Sequence, residues 1–258
     1  MSWERVLTTR NIERLLVGDL FTKGEPGGLL LTLIIGILAI IFATLLGALL
    51  AIMRTSQRRW LWMPAMLYIE VLRNIPALLL VFWAYFVPPY LGYEPSKFVS
   101  VLVALSLFTA AYIAEIIRGG ILSVSPGTIE AARALGLSSL QIHLWIVLPE
   151  AFFKMLPAIS GRYIVTVKNT SLAFLIGLSE LTDIGRQINS RLMTAPMEVY
   201  GVLMVLYFVV NKTLSSFFYL LEDKRRFNRL LAWLGLPSYS QPVQHTNIEA
   251  IPTPSRAE

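Results

Sequence analysis

An uncharged apolar stretch at residues 28–53 is the feature that most restricts what this chain can fold into. As an α-helix with some tilt, it is long enough to cross the roughly 30 Å of hydrocarbon in a bilayer. The whole chain is 55% hydrophobic and 15% charged, with a mean hydropathy of +0.63. A water-soluble domain of this length does not usually combine these values. The sequence therefore predicts an all-α membrane protein.

Further apolar stretches predict a bundle of five transmembrane helices. They lie at residues 63–87, 98–117, 151–177 and 201–221. Residues 1–27 form an N-terminal segment before the bundle, and residues 28–229 form the membrane domain. Residues 230–258 are rich in proline and polar side chains, so we expect them to form a flexible tail.

The distribution of Lys and Arg among the connections predicts the orientation of the bundle. Cytoplasmic connections carry an excess of both, and this applies to Arg54, Arg58 and Arg59, and to Lys224, Arg225, Arg226 and Arg229. The connection around Lys97 and the mixed-charge loop at residues 180–198 suit the outer face. The N-terminus is then outside and the C-terminus cytoplasmic. The net charge of +6 reflects this topology, so we expect no nucleic-acid partner.

A polar insert separates the third and fourth spans at residues 125–149. A Ser-Pro pair at its start predicts an N-cap and a first helical residue. Gly136 can adopt the positive φ that ends such a helix. Ser138 and Gln141 have capping-box spacing, which predicts a second helix running toward Pro149. Helix, glycine hinge and helix together predict a compact knob, in water, that a partner can grip.

The spacing of this insert resembles the cytoplasmic loop of permease subunits in binding-protein-dependent ATP-binding-cassette (ABC) importers. The matching positions are Glu130, Ala131, Ala132, Gly136, Ile146, Leu148 and Pro149. The resemblance implies the type I ABC importer permease fold and assigns these residues to coupling with an ATPase subunit. An ordinary amphipathic loop between two membrane helices is the alternative.

Two charged motifs in the second and third spans resemble the branch of this family that takes up polar amino acids and opines. They comprise Glu70, Arg73, Asn74 and Pro76, and then Glu115 and Arg118. In each motif Glu and Arg are three residues apart and share one helical face, so cross-pairing would tie the two spans together. Charges in a membrane are costly unless they are paired or wet. Gating or subunit contact is one interpretation, and anchoring at the cytoplasmic interface is the other.

A polar tetrapeptide in the fourth span is the predicted substrate path. Lys168, Asn169, Thr170 and Ser171 lie between apolar residues and resemble a Lys-(Asp/Asn)-(Ser/Thr)-Ser/Ala element of the family. At membrane depth such side chains face the protein interior or a water-filled cavity. If the helix loosens here, these groups could hold the ammonium and carboxylate of an amino acid.

The charges of the tetrapeptide favour one substrate class. The neutral Asn169 provides no counter-ion for a guanidinium, whereas Lys168 attracts an anionic side chain. We therefore expect glutamate, aspartate or a related polar amino acid. A permease for basic amino acids, and a polar helix–helix contact without a ligand, remain alternatives.

The partners follow from the resemblance and from what the sequence lacks. There is no Gly-x-x-x-x-Gly-Lys-Ser/Thr phosphate loop, so we expect no enzyme activity and no cofactor on this chain, with ATP and Mg²⁺ bound by separate ATPase subunits. No cysteine and only two histidines predict no metal site. The resemblance implies a solute-binding protein outside, a second permease copy or close homologue, and a multi-pass location in the bacterial inner membrane.

Functions of other classes fit the sequence less well. A secondary amino acid transporter would also place polar residues at membrane depth, but no internal repeat is evident here. An intramembrane protease could pair Lys168 with Ser171 on one helical face. No aspartate dyad is available, because Asp19, Asp183 and Asp223 all lie outside the predicted spans.

Overall fold

The N-terminal segment is folded rather than extended in the structure, a computed structural model that describes residues 3–222. Its short elements are α1 (Trp3–Val6), α2 (Thr9–Val17), β1 (Gly18–Asp19), α3 (Leu20–Lys23) and β2 (Glu25–Pro26). The two strands pair antiparallel, with Gly18 opposite Pro26. The predicted C-terminal tail and its preceding basic residues lie outside the described residues.

Helices of very different length make up the rest of the described chain. They are α4 (Gly28–Thr55), α5 (Arg59–Asn74), α6 (Ala77–Phe86), α7 (Lys97–Leu122), α8 (Pro126–Ala134), α9 (Ser139–Ile142), α10 (Leu148–Asn169), α11 (Leu181–Leu192) and α12 (Pro196–Glu222). Short 3₁₀ segments span Pro88–Leu91 and Thr170–Ile176, and a π-helical turn spans His143–Val147. Within the described chain, four continuous helical segments are long and apolar enough to cross a membrane, and a bent pair of helices makes a fifth if the two together cross once.

The helices α4 and α7 pack closely at the centre of the bundle because small residues line their contact. A Cβ added at Gly47 would lie 2.7 Å from Cγ2 of Ile113, so the two backbones approach too closely for a side chain there. Two hydroxyl contacts attach α10 to this pair. Thr44 meets the Tyr163 hydroxyl at 2.6 Å, and Thr109 meets Thr166 at 2.9 Å.

The second span is not the single helix that residues 63–87 predict. It consists of α5 and a second arm, Ala77–Leu91, which meet at an angle of 106°. Pro76 is the cause, because a proline pushes the preceding residue out of the helical region and offers no N–H to continue the helix. Ile75 accordingly has φ −102° and ψ 135°.

The predicted boundary of the fourth span, at residues 151–177, is also wrong. One apolar segment runs from Ser139 to Ile176 and includes α9, the π-helical turn, α10 and the 3₁₀ segment. Pro149 does not end it, because this proline lies in the first turn of α10, directly after the wider π-helical turn. The second helix of the insert is therefore the start of the fourth span.

The predicted outer loop at residues 180–198 contains α11, an amphipathic helix that closes one end of the bundle. Leu181, Ile184 and Ile188 on α11 are buried in one cluster with Val6 and Leu15 from the N-terminal segment. The charged residues on the other face of α11 make the segment polar overall, so its composition did not indicate the buried face.

Candidate functional site

The insert folds as the predicted knob. The helix α8 ends before Gly136, which has φ +80°. Ser138 and Gln141 form the capping box that starts α9, with the Gln141 amide donating to Ser138 Oγ at 3.3 Å and the Ser138 amide donating to Gln141 Oε1 at 2.8 Å. Ser125 has extended N-cap geometry, although its side chain makes no capping hydrogen bond.

The predicted coupling residues divide into two groups. Glu130, Ala131, Gly136 and Leu148 are exposed, and Ile146 and Pro149 are half-buried. Ala132 instead packs into a small core of its own with Val124, Ile142, Val147 and Ala151. The two adjacent alanines therefore do not share one partner-facing surface. Large apolar side chains are also exposed on the knob, namely Leu135, Leu140, Leu144 and Trp145. Such a patch next to exposed polar residues is typical of a protein interface.

The two charged motifs meet across α5 and α7, as the sequence predicts. Glu115 binds Arg118 Nη2 at 2.8 Å on its own helix and lies 3.9 Å from Arg73 Nη1. The Tyr112 hydroxyl also donates to the Arg73 carbonyl at 3.2 Å. Glu70, in contrast, is exposed and makes no ion pair with any residue between 3 and 222. Asn74 donates to the Glu70 carbonyl at 2.7 Å, in the last turn before the break at Pro76.

The substrate tetrapeptide lies where α10 changes into the 3₁₀ segment, so the helix loosens there as predicted. Lys168 and Ser171 line an open groove of about 670 Å³ between α10 and α12. Thr170 is fully buried and donates to the Val167 carbonyl at 2.7 Å. Asn169 is half-buried and does not line this groove. The structure thus brings two of the four predicted residues to the groove.

The opposite wall of the groove comes from α12, which the sequence analysis did not single out. Tyr207, Asn211 and Lys212 line it. Asn211 Nδ2 donates to the Tyr207 carbonyl at 2.6 Å, whereas the buried Oδ1 has no partner among the described residues. A buried acceptor without a donor is costly, so this atom is a candidate ligand contact.

Glu180 is a second group that the sequence analysis missed. Its fully buried carboxylate caps α11 by accepting the Asp183 and Thr182 amides at 2.9 and 3.0 Å, and Tyr207 donates to it at 3.1 Å. The Thr32 hydroxyl of α4 lies 3.4 Å away. Burial raises the pKa of Glu180 from 4.5 to about 7, although these donors oppose the shift. Glutamate is not a favoured N-cap residue, so the sequence contained little indication that Glu180 begins a helix.

Arg162 is a third unexpected group. Its guanidinium stacks on Tyr112 at 3.7 Å and on Phe108 at 4.8 Å, so α7 supplies aromatic faces for a cation at membrane depth. Its Nε and Nη2 atoms are buried and have no hydrogen-bond partner in the described part of the chain. A lone arginine in an apolar span was the available sequence signal.

Known proteins resemble this chain over most of its length. The octopine transport system permease protein OccM of Rhizobium radiobacter is 36% identical over 219 residues, which are 79% of this chain and 88% of the relative. The glutamate/aspartate import permease protein GltK of Escherichia coli O6:H1 is 35% identical, covering 73% and 87%. The glutamine transport system permease protein GlnP of Escherichia coli K12 is 33% identical, covering 77% and 91%.

Solved structures and a family model agree with these relatives. A crystal structure of an amino acid ABC transporter with histidines matches with a TM-score of 0.71 and 33% identity, over 76% of this chain and 91% of that one. The inward-facing MetNI methionine ABC transporter shares the fold, with a TM-score of 0.56 and 23% identity over 73% and 90%. The model of the family "Binding-protein-dependent transport system inner membrane component" matches residues 43–228. The chain therefore belongs to this family of inner-membrane transport components.

Proposed function

We propose that this permease imports acidic amino acids and that the groove between α10 and α12 is its substrate path. The chain is the membrane-spanning subunit of an amino acid ABC importer, and ATP hydrolysis belongs to a separate subunit. A solute-binding protein and ABC ATPases are the partners of this family in general. Relatives named for octopine, glutamate/aspartate and glutamine leave the particular substrate open.

The charge of the groove carries the preference for acidic substrates. Lys168 and Lys212 line it, and no carboxylate does so among residues 3–222. Two cations suit a substrate that has a side-chain carboxylate beside its α-carboxylate. The unpartnered Oδ1 of Asn211 supplies an acceptor for the α-ammonium group. A basic substrate would bring a third positive charge into this groove.

The continuous fourth span supports a direct mechanical link between the knob and the groove. The segment from Ser139 to Ile176 carries the capping-box helix at one end and Lys168 near the other. When the ATPase subunits close on ATP, movement of the knob would turn the same helix that forms the groove wall. The membrane domain would then change between inward-open and outward-open states by a population shift that partner contacts drive.

A second permease, identical or homologous, would cover the open side of the groove. Met204 and Phe208 line that side and are 69% and 68% exposed in the single chain. In a two-fold symmetric pair of subunits, the same face of each copy would meet the other. The charge pattern of the connections keeps the knob cytoplasmic and the N-terminus outside in this assembly.

Uptake of labelled glutamate, glutamine and arginine by the reconstituted complex tests the substrate class. The variants are Lys168→Gln and Lys212→Gln, with Arg58→Gln as a matched loss of charge outside the groove. Each lysine would contribute about 1 kcal/mol in a water-filled groove, and up to about 4 kcal/mol at an effective dielectric of ~20 and ~4 Å. We expect glutamate uptake to fall at least about fivefold, with arginine uptake unchanged or higher. Equal losses for all three substrates would refute the acidic preference.

A further inference from the structure

A small basic pocket lies on the N-terminal segment, away from the groove. It is a cavity of about 220 Å³ between α2, the β1–α3 corner and the end of α11. Four basic side chains and two acidic ones line it, which leaves a surplus of positive charge. The basic residues are Arg10, Arg14, Lys23 and Arg191. This surplus favours an anionic occupant.

Arg14 is the buried centre of the pocket, with only 6% of its surface exposed. Its Nε donates to Asp19 Oδ1 at 3.0 Å, and its Nη2 donates to Gln187 Oε1 at 2.8 Å. The remaining nitrogen, Nη1, is buried and has no hydrogen-bond partner among residues 3–222. A buried guanidinium N–H without an acceptor is costly, and a carboxylate is the acceptor that matches its geometry best.

The helix α2 carries its basic pocket residues and its exposed apolar residues on different faces. Arg10 and Arg14 are four residues apart and share one face of the helix. Ile12 and Leu16, each two positions further along, are exposed on the nearly opposite face. If that apolar face rests on the bilayer surface, the basic face points away from it. The backbone of Arg14 lies against Gly28, the first residue of α4, so the pocket is at the predicted outer end of the bundle.

We infer that the pocket receives an acidic side chain of the solute-binding protein when that protein docks from outside. The inference rests on the proposed function, which supplies both the partner and the outer orientation. The cavity has room for a carboxylate side chain, which would accept a hydrogen bond from Nη1 of Arg14 while the other basic residues balance its charge.

Hydrogen bonds through α11 connect the pocket to the groove wall. Gln187, which holds Arg14, donates to Asp183 Oδ2 at 2.7 Å. The Asp183 amide in turn donates to Glu180 Oε1 at 2.9 Å, and Tyr207 of the groove donates to the other oxygen of the same carboxylate at 3.1 Å. Docking at Arg14 would therefore act on α11, whose N-cap residue Glu180 accepts a hydrogen bond from Tyr207 of the substrate path.

The test measures how much solute-binding protein half-maximally stimulates ATP hydrolysis by the complete complex in nanodiscs. The main variant is Arg10→Gln combined with Arg191→Gln, because both residues line the pocket and α2 does not depend on them for its buried contacts. Arg5→Gln is the control, an exposed arginine of the same segment outside the pocket. We expect the half-maximal concentration to rise roughly fivefold in the double variant, with an unchanged maximal rate and a weaker salt dependence. The control should behave as wild type.

Arg14→Gln should cause a larger loss of docking, and its thermal stability is measured in parallel because Asp19 loses its partner. A double variant with wild-type docking would overturn the inference. A loss that appears only in anionic phospholipid and vanishes in phosphatidylcholine would assign the pocket to a negatively charged lipid headgroup and overturn the inference as well. If no amino-acid-binding protein stimulates the wild-type complex, the proposed function fails first, before any variant is compared.

Discussion

Replacing Gly136 by valine tests the coupling role of the knob, because at this position the substitution strains the backbone without causing a steric clash. A Cβ there would meet no atom within 4 Å, so the new side chain has room. The cost is conformational, since φ is +80° and an L-residue in the left-handed region loses about 1–2 kcal/mol, with β-branched residues at the upper end. The turn also carries the bond from the Gly136 amide to the Arg133 carbonyl, at 2.9 Å.

A penalty of this size lowers the equilibrium constant between the correctly shaped knob and alternative conformations by a factor of roughly 5 to 30. We therefore expect Gly136→Val to insert normally, to lose most ATP-driven uptake, and to bind the ATPase subunit more weakly in co-purification. Gly119→Ala is the matched control, because its Cβ would also meet nothing within 4 Å but its φ is not positive. Alanine is the better helix former, so this control should retain uptake. Wild-type uptake by Gly136→Val would refute the coupling role.

Three further predictions concern the membrane bundle. Gly47→Ala should destabilise it by about 1–3 kcal/mol in thermal unfolding, because the new methyl group would overlap Ile113, and an unchanged midpoint would contradict the close packing of α4 on α7. Burial raises the pKa of Glu180 from 4.5 to about 7, so the stability associated with its protonated form is present below pH 4.5 and is lost as the pH rises through about 7. Glu180→Gln should remove that decline, of about 3 kcal/mol, from a pH series of unfolding, and a parallel decline in the variant would exclude Glu180 as its source. Asn169→Asp should affect glutamate and arginine uptake equally, because Asn169 does not line the groove, and a selective loss of glutamate would return it to the substrate path.

Features that depend on neighbouring residues were predicted best. The positive φ of Gly136 and the capping box at Ser138 follow from local backbone chemistry and were predicted. The break of the second span at Pro76, with its angle of 106°, was not predicted, although the proline was a local signal for it. The fourth span shows the limit of such reasoning. Its length was underestimated because Pro149 looked like a terminus, and only the π-helical turn before it explains why the helix continues.

The candidate sites depended more on contacts between distant segments. The spacing suggested that the two charged motifs pair across neighbouring helices, and in the structure Arg73 lies 3.9 Å from Glu115, whereas Glu70 makes no ion pair among residues 3–222. The sequence could not show that Lys168 lines the groove and Asn169 does not, because this depends on how α10 packs against α12. Lys212 is the one charged residue in the predicted fifth span, a signal that was available but not used, whereas Asn211 resembles other polar residues in an apolar helix.

Apolar length and helix capping act over a few adjacent residues, so the amino-acid sequence was enough to identify a bundle of membrane helices with a polar knob between the third and fourth spans. The three-dimensional fold was needed to show that Glu180 caps α11 beside Thr32 and Tyr207, and that Nη1 of Arg14 has no hydrogen-bond partner among residues 3–222. Both outcomes depend on burial and on partners far away in the chain. The amino-acid sequence does not show whether a charged side chain will be hydrated or will form buried hydrogen bonds.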